Sequence, residues 1–347
     1  MIHAAVVGYG YAGRAFHAYL IGLADGIHLY AISTRDPERQ RAALRDHPRV
    51  RIYARMDDLL TDDRVDLVVI ATPHHTHRDL AIQAMDAGKH VVTDKIMCMN
   101  AKEAEDMIAA SKRNNVMLSV FHNRRWDWDY LTVKKVIQDG LLGEPYLFQV
   151  AIMRYGRPHG WRAVKAQSGG ILYDWPAHLV DQALQLVPAE VHTVYCQIKE
   201  RNRWDSDIGN YAKLLMEFSN GVLYEIEIGN LAAIGKPRWY VSGDLGTLIK
   251  VGLDPQEGAM RDGNMDRAEE DPAHRAQVCT MIYGPERKMV IDSVRGSWRS
   301  YYQNISEVLN EGAELAVKAE EVYKAMRVYD AAMRSAETGQ VVTLRSG

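Results

Sequence analysis

Ile2-His3-Ala4-Ala5-Val6-Val7-Gly8-Tyr9-Gly10-Tyr11-Ala12-Gly13 opens the chain and decides how the rest is read. Ile2 to Val7 reads as an apolar strand and Gly13 to Leu23 as a helix, with a GxGxxG turn between them. Gly8 permits the tight turn, Gly10 lets a pyrophosphate approach the backbone, and Gly13 permits close packing of helix on strand. The helix N-terminus, with Tyr11 and Ala12 entering it, then points its N–H groups at negative charge. The hexapeptide alone also suits a purely structural glycine turn, but between a strand and a helix it is the context of a dinucleotide site.

Outward from this turn, strands and helices alternate as in parallel βαβ units. Strands are expected at Ile27 to Ser33, Asp66 to Thr72, Lys89 to Thr93 and Met117 to Phe121, with helices from Pro73 to about Ala87 and from Ala101 to Asn114. Past Asn123 the alternation stops. A helix at Trp128 to Gln138 precedes strands at Tyr146 to Tyr155, Val191 to Glu200, Tyr211 to Phe218, Val222 to Asn230 and Arg238 to Ser242, with a helix at Pro176 to Leu186. Asn220-Gly221 joins two of these strands as a hairpin signal, because both residues tolerate positive φ. The fold class is therefore a doubly wound Rossmann sheet over residues 1–122, followed by an α+β domain over 123–347 built on a large open, mainly antiparallel sheet. The amphipathic segment 298–336 is expected to pack back across that second domain, and the acidic, glycine-rich stretch Asp254 to Asp271 to be a surface loop or a lid.

Bulk properties narrow the function. At 347 residues two domains are the default, and 47% hydrophobic with 25% charged residues is an ordinary globular composition. A net charge of −3 with dispersed Lys and Arg argues against nucleic acid or a membrane surface as partner and for a small molecule. Cys98, Cys196 and Cys279 are widely spaced, no signal-peptide pattern precedes Ile2, and no apolar run approaches a membrane span, so a cytoplasmic location is expected.

Four stretches carry the chemistry. After the second strand, where an NAD site usually places Asp or Glu, the chain has Ser33, Thr34 and Arg35, whose hydroxyls and guanidinium suit a 2′-phosphate; NADP is favoured over NAD, although Asp36 follows closely. After the fourth strand, Thr72-Pro73-His74-His75-Thr76-His77 borders the cleft expected at the strands' carboxyl ends; three histidines invite a metal, but further ligands are not visible and none is expected. Lys95 follows the next strand, and Asp174, His178 and Asp181 share one face if helical, with Pro176 in the first turn. A histidine beside carboxylates can take a hydroxyl proton and a lysine can stabilise an alkoxide. A capping Asp and a buried, hydrogen-bonded His are the bland alternative.

GxGxxG, Ala71-Thr72-Pro73, Ala87-Gly88-Lys89-His90-Val91-Val92 running into Asp94-Lys95, and Asp174-x-x-x-His178-x-x-Asp181 together resemble the glucose-fructose oxidoreductase/inositol dehydrogenase family, Gfo/Idh/MocA, over essentially the whole chain. Ser119 to Asp127 and Trp161-Arg162 resemble most its NADP-dependent scyllo-inositol dehydrogenase branch. The resemblance implies Lys95, Asp174 and His178 as catalytic, Thr72, Pro73, His74, Lys95 and Asn123 around the nicotinamide, and Trp161 and Arg162 near the cofactor. It also implies hydride transfer between NADP or NAD and a secondary alcohol of a sugar, polyol or inositol, and a homodimer or homotetramer formed through the C-terminal sheet. Tyr155, Trp161 and Trp175, with Trp126, Trp128 and Tyr173, offer rings that could stack on a sugar, beside Asn123, Lys95, Asp174 and His178. The chain departs from the family pattern at Asp94 for Glu, Ile96 for Pro and His74 for Asn. Two other activities fit the same residues: a glycosidase-type relative with transient redox, and a sugar- or dinucleotide-sensing regulator without turnover.

Overall fold

The computed structural model describes residues 1–201, 203–281 and 286–345. They form two compact units, Met1–Asn123 with Trp298–Met326 and Arg124–Ser297 with Arg327–Gly347. Positions 346 and 347, the end of the expected second domain, lie outside the described residues.

In the first unit β1 (Ile2–Val7), β2 (Ile27–Ser33), β3 (Arg51–Tyr53), β4 (Leu67–Ile70), β5 (His90–Thr93) and β6 (Leu118–Val120) form a parallel sheet in the order β3-β2-β1-β4-β5-β6. Val, Ile, Leu and Ala dominate these strands because both faces are covered. Register places Ser33, Val7, Ile70, Thr93 and Val120 in one row across the sheet, so the chain leaves every strand at the same edge. Its longer helices before residue 123 are α1 (Ala12–Ala18), a wide π-type coil that runs on through Tyr19–Ile21, α2 (Pro37–Asp46), α3 (His77–Asp86) and α4 (Ala101–Asn114), with a short helix at Met56–Leu60. Asn100 caps α4 by accepting from Glu103 N at 2.9 Å, while Glu103 accepts from Met99 N at 2.9 Å. The short β3 and the polar α2 had no periodic signal strong enough to mark them.

The second unit's sheet contains β7 (Pro145–Met153), β8 (Val191–Lys199), β9 (Tyr211–Phe218), β10 (Leu223–Gly229), β11 (Trp239–Gly243), β12 (Gly246–Lys250), β13 (Ala276–Thr280), β14 (Arg287–Ile291) and β15 (Val342–Thr343). Their order is β14-β13-β12-β11-β7-β10-β9-β8-β15, and only β7 and β10 pair in parallel. The β9–β10 turn uses positive φ only at Gly221 (84°): Phe218 N donates to Val222 O and Gly221 N to Phe218 O, the three-residue loop with glycine at its left-handed position. Residues 246 to 291 supply three strands that the sequence reading did not mark.

Helices of this unit include α5 (Trp128–Gln138), α6 (Pro176–Leu186) and α7 (Gln256–Arg261), with a single turn at Lys165–Ser168. The surface loop expected at 254–271 is thereby corrected: α7 and a helical turn at Met265–Arg267 occupy it, with Gln256, Met260 and Met265 buried. Asp254 anchors it, accepting from Trp128 N at 2.7 Å at the start of α5 and from Gln256 N at 2.8 Å. Asp129 on α5 accepts from Trp239 Nε1 at 2.7 Å and pairs with Arg238 Nε at 3.0 Å, while Arg238 also donates to Gln182 on α6 at 3.1 Å.

The C-terminal segment is two helices, α8 (Arg299–Glu311) and α9 (Ala319–Thr338), separated at Gly312 (φ 74°). It does not all pack with the second domain as expected. Tyr301 hydrogen-bonds Ser119 at 2.9 Å and Ser306 donates to Asp25 O at 2.6 Å, so α8 is covered by the Rossmann unit; from Arg327 onward α9 belongs to the second unit, where Tyr329 donates to Pro176 O at 2.9 Å.

Burial, together with the charge of nearby Asp129, pushes the Asp254 carboxyl up to about 6, against the hydrogen bonds from Trp128 and Gln256. The unfolded chain titrates this group near pH 4, so the native state holds its proton more tightly, and the resulting stability is lost as pH rises through about 6. Chemical denaturation at pH 7 and pH 5 should therefore show the wild type gaining stability relative to Asp254→Asn as pH falls; a constant difference contradicts this reading.

Candidate active site

The row of strand ends in the first unit is continued by residues tied in register to the neighbouring strand. Gly8 N donates to Ser33 O at 2.9 Å, Ala71 N to Val7 O at 2.8 Å, Asp94 N to Ile70 O at 2.8 Å and Phe121 N to Thr93 O at 2.8 Å. The loops bearing Gly8, Thr72, Lys95 and Asn123 thus start from one edge, as a ligand site in an open α/β sheet requires. Gly8 has φ 95°, and a Cβ there would meet Ala71 O at 2.4 Å; on Gly13 it would meet Gly8 O at 1.9 Å. A Cβ on Gly10 would have only Arg39 Nη1 nearby, at 3.8 Å, so its backbone is open to a bound group.

At the end of β2, Ser33 and Thr34 are buried while Arg35 is exposed. Asp36 is occupied as the cap of α2, accepting from Glu38 N at 2.9 Å and Arg39 N at 3.4 Å, and its carboxylate pairs with Arg39 at 3.3 Å. Arg39 was not among the residues read from the sequence. Its signal would have been helical spacing: three residues past the cap, its guanidinium reaches toward Gly10.

Of the three histidines, His75 is exposed, His74 is buried, and fully buried His77 has both ring nitrogens against carbonyl oxygens, Nδ1 2.8 Å from Ile96 O and Nε2 2.9 Å from Thr72 O. Neither nitrogen of His77 is left to bind a metal. Asp94 accepts from the Lys95 backbone N–H at 2.8 Å and lies 3.7 Å from His17 Nε2, whose ring reaches Tyr302 on α8 at 2.7 Å through Nδ1. Burial works to raise the Asp94 carboxyl, but His17 and the charges of Lys95 and His77 outweigh it and hold the group well below the usual carboxylate range. The Lys95–Ile96 peptide is cis.

In the second unit, Asp174 precedes α6 rather than lying within it, so Asp174, His178 and Asp181 do not share a helical face as expected. The Asp174 carbonyl accepts from Ala177 N at 3.2 Å, and its carboxylate lies 3.7 Å from Arg154. His178 is buried on the first turn of α6, its ring 6.4 Å from that of Trp175. Asp181 takes Arg125 in a bidentate pair at 2.9 and 2.7 Å. Trp175 lies under the Arg124 guanidinium at 4.1 Å.

The other rings have partners of their own. Tyr173 packs on Tyr329, Trp128 is buried on α5, and exposed Tyr155 meets Trp204 and accepts from Arg203 at 3.3 Å. Trp161 and Arg162 share a helical turn at Gly160–Ala163, where the guanidinium lies 4.4 Å over the indole.

Residues 2–122 match the Gfo/Idh/MocA oxidoreductase model described as an NAD-binding Rossmann fold, and residues 134–344 match that family's C-terminal alpha/beta domain. The chain belongs to this family. It is 34% identical to scyllo-inositol 2-dehydrogenase (NADP(+)) IolW of Bacillus subtilis over 99% of this chain and 96% of that protein. With myo-inositol 2-dehydrogenase of Thermotoga maritima the identity is 27% over 76% of this chain and 79% of the relative. The solved structure of the Bacillus subtilis oxidoreductase yvaA superposes with a TM-score of 0.92 at 31% identity, covering 99% of this chain and 98% of the other. The chain is thus an oxidoreductase-family protein with an NAD(P)-binding Rossmann fold, and no helix among the described residues is long and apolar enough to cross a membrane.

Two buried atoms fit the family's dinucleotide. Thr93 Oγ1 and Asn123 Nδ2, both beyond the reach of solvent, make no hydrogen bond within the protein at the ends of β5 and β6, so polar groups remain there for a ligand. Gly10 supplies the open backbone and Gly13 the close packing that the family turn needs. Gly13→Ala should lower both the melting temperature and dinucleotide affinity, the latter at least about tenfold, since its methyl would force the turn apart. Thermal melts and fluorescence titration check this; unchanged binding would remove Gly13 from the turn's geometry.

Proposed function

We propose that this protein is an NADP-dependent dehydrogenase acting on a secondary alcohol of a sugar, polyol or inositol. The observation that carries the reading is the placement of Lys95 at the common strand edge, its backbone N–H held by Asp94, in a chain that also retains the family's Asp174 and His178 and is 34% identical to an NADP-dependent inositol dehydrogenase.

When bound, the nicotinamide supplies the hydride acceptor. Lys95 offers a positive charge to the oxygen that becomes negative, and His178 takes the hydroxyl proton on a ring nitrogen. The resemblance gives Asp174 the role of orienting that ring, and its carboxylate lies 3.7 Å from Arg154. Lys95→Ala and His178→Ala should each lower turnover at least about a hundredfold while NADP still binds, because both act on charge and proton transfer. The assay is nicotinamide absorbance with a panel of polyols and inositols; near-normal rates in either variant remove that residue from the mechanism. Glycoside cleavage without net absorbance change would instead favour transient redox, and binding without turnover a sensor.

Preference for NADP follows from the charge at the end of β2. Asp36 is engaged by the backbone of α2 and by Arg39, so exposed Arg35 offers its charge to a 2′-phosphate, and Arg39 joins it by exchanging Asp36 for the phosphate. Replacing either arginine by alanine should weaken NADP by roughly 1–3 kcal/mol and leave NAD nearly unchanged. Dissociation constants for both cofactors decide the point: tighter NAD binding by the wild type, or unaltered NADP affinity in both variants, contradicts it. A cytoplasmic homo-oligomer assembled through the second unit's sheet belongs to the same proposal; exposed Tyr146, Leu223 and Val290 on that sheet support it, and light scattering measures it.

A further inference from the structure

His77 is the member of the histidine cluster that neither a metal nor the hydride-transfer reaction accounts for. A neutral imidazole has one N–H donor and one lone pair. Here both nitrogens face carbonyl oxygens, Ile96 O at 2.8 Å and Thr72 O at 2.9 Å, and turning the ring over leaves both facing carbonyls. A neutral ring would set its lone pair against one of those oxygens, whereas the imidazolium satisfies both.

The groups facing this ring are buried Asp94 after β5, His17 on α1 and His74, whose ring lies 5.6 Å away, with Lys95 adjoining the Ile96 acceptor. Burial, the largest influence, favours the neutral ring, and His17 acts the same way; the carboxylate of Asp94 and the two carbonyls oppose them. Taken together these influences draw the ring below its ordinary imidazole range; against that direction stands the geometry, because a neutral ring leaves one carbonyl facing a lone pair inside a fully buried site.

We propose that His77 is a positioning residue: as an imidazolium it donates one N–H to Thr72 O and the other to Ile96 O, tying the loop after β4 to the loop that carries Lys95. The chain supplies no other side-chain hydrogen bond to either of these two carbonyls among the bonds described, so the ring sets the spacing of the two loops and with it the direction from which Lys95 approaches. The positioning role rests on the dehydrogenase reading; the charge state does not.

The test uses the full chain with 15N-labelled histidine, the His77 ring signals being those missing in His77→Gln. Both ring nitrogens should be protonated from pH 6 to pH 8, and a bare nitrogen in that interval overturns the proposal whatever the enzyme does. Kinetics then address positioning. His77→Leu should lower kcat for polyol oxidation by at least about tenfold while the dissociation constant for NADP stays within about threefold of the wild type, because a misdirected Lys95 acts on the chemical step. His77→Gln, whose amide retains two N–H groups, should recover part of kcat. An unaltered kcat in His77→Leu, or a loss that glutamine does not relieve, overturns the positioning role. If His77→Leu fails to fold, the glutamine variant and the ring spectrum decide. If the wild type oxidises no polyol with either cofactor, the dehydrogenase reading fails alone and the imidazolium is judged on its spectrum.

Discussion

The carbonyl oxygen of Gly8 occupies the place where a side chain on Gly13 would have to go, 1.9 Å from an ideal Cβ. This contact is what lets the chain leave β1, turn through Gly8 at φ 95° and enter α1 directly over the strand it has just left. A second close approach accompanies it, since a Cβ on Gly8 would lie 2.4 Å from Ala71 O at the end of β4. The glycine turn is therefore clamped between its own helix and the neighbouring strand, and the row of strand ends from Ser33 to Val120 is aligned around it. The loops bearing Gly8, Thr72, Lys95 and Asn123 start from that row.

Charge buried beside the row is balanced within the unit. Asp94, shorter by one methylene than the family's glutamate, accepts from the Lys95 backbone and faces His17, which is held in turn by Tyr302. Burial works to raise this carboxyl, and the contact with His17 and the charges beside it hold it down instead. The second unit solves the same problem with arginine. Arg238 pairs with Asp129 and reaches Gln182, Arg124 pairs with Asp127 at 3.2 Å and Glu257 at 2.9 Å, and Arg125 grips Asp181. The group of Asp127, Asp129 and Asp254, close enough to suggest a cation site, is thus bracketed by guanidinium groups and by backbone N–H donors on Asp254. Cutting any one of these pairs leaves an uncompensated charge, the costly event in a buried site.

Family membership and the geometry of the glycine turn agree on a dinucleotide-binding oxidoreductase. Lys95 is positioned by backbone contacts at a strand end. His178 is positioned by a helix whose first residue is the proline that the turn can accommodate, because its missing N–H would have had no helical acceptor.

Much of this was legible in the chain alone, for a physical reason: each feature depends on a local pattern. The GxGxxG turn, the apolar runs of the parallel strands, the Asn220-Gly221 hairpin and the proline entry to α6 are set by residues a few positions apart, and register does the rest. What tertiary structure decided depends on partners distant in sequence. Asp36 reads as a carboxylate near a ribose until the backbone of α2 claims it, and Asp181 reads as a partner for His178 until Arg125, 56 positions away, takes both its oxygens. Residues 254–271 read as a polar loop, since nothing local reveals that Asp254 caps a helix 126 residues earlier. His77 shows the same limit. Its spacing beside two other histidines invites a metal, and only the fold sets the carbonyls of Thr72 and Ile96 against both its nitrogens.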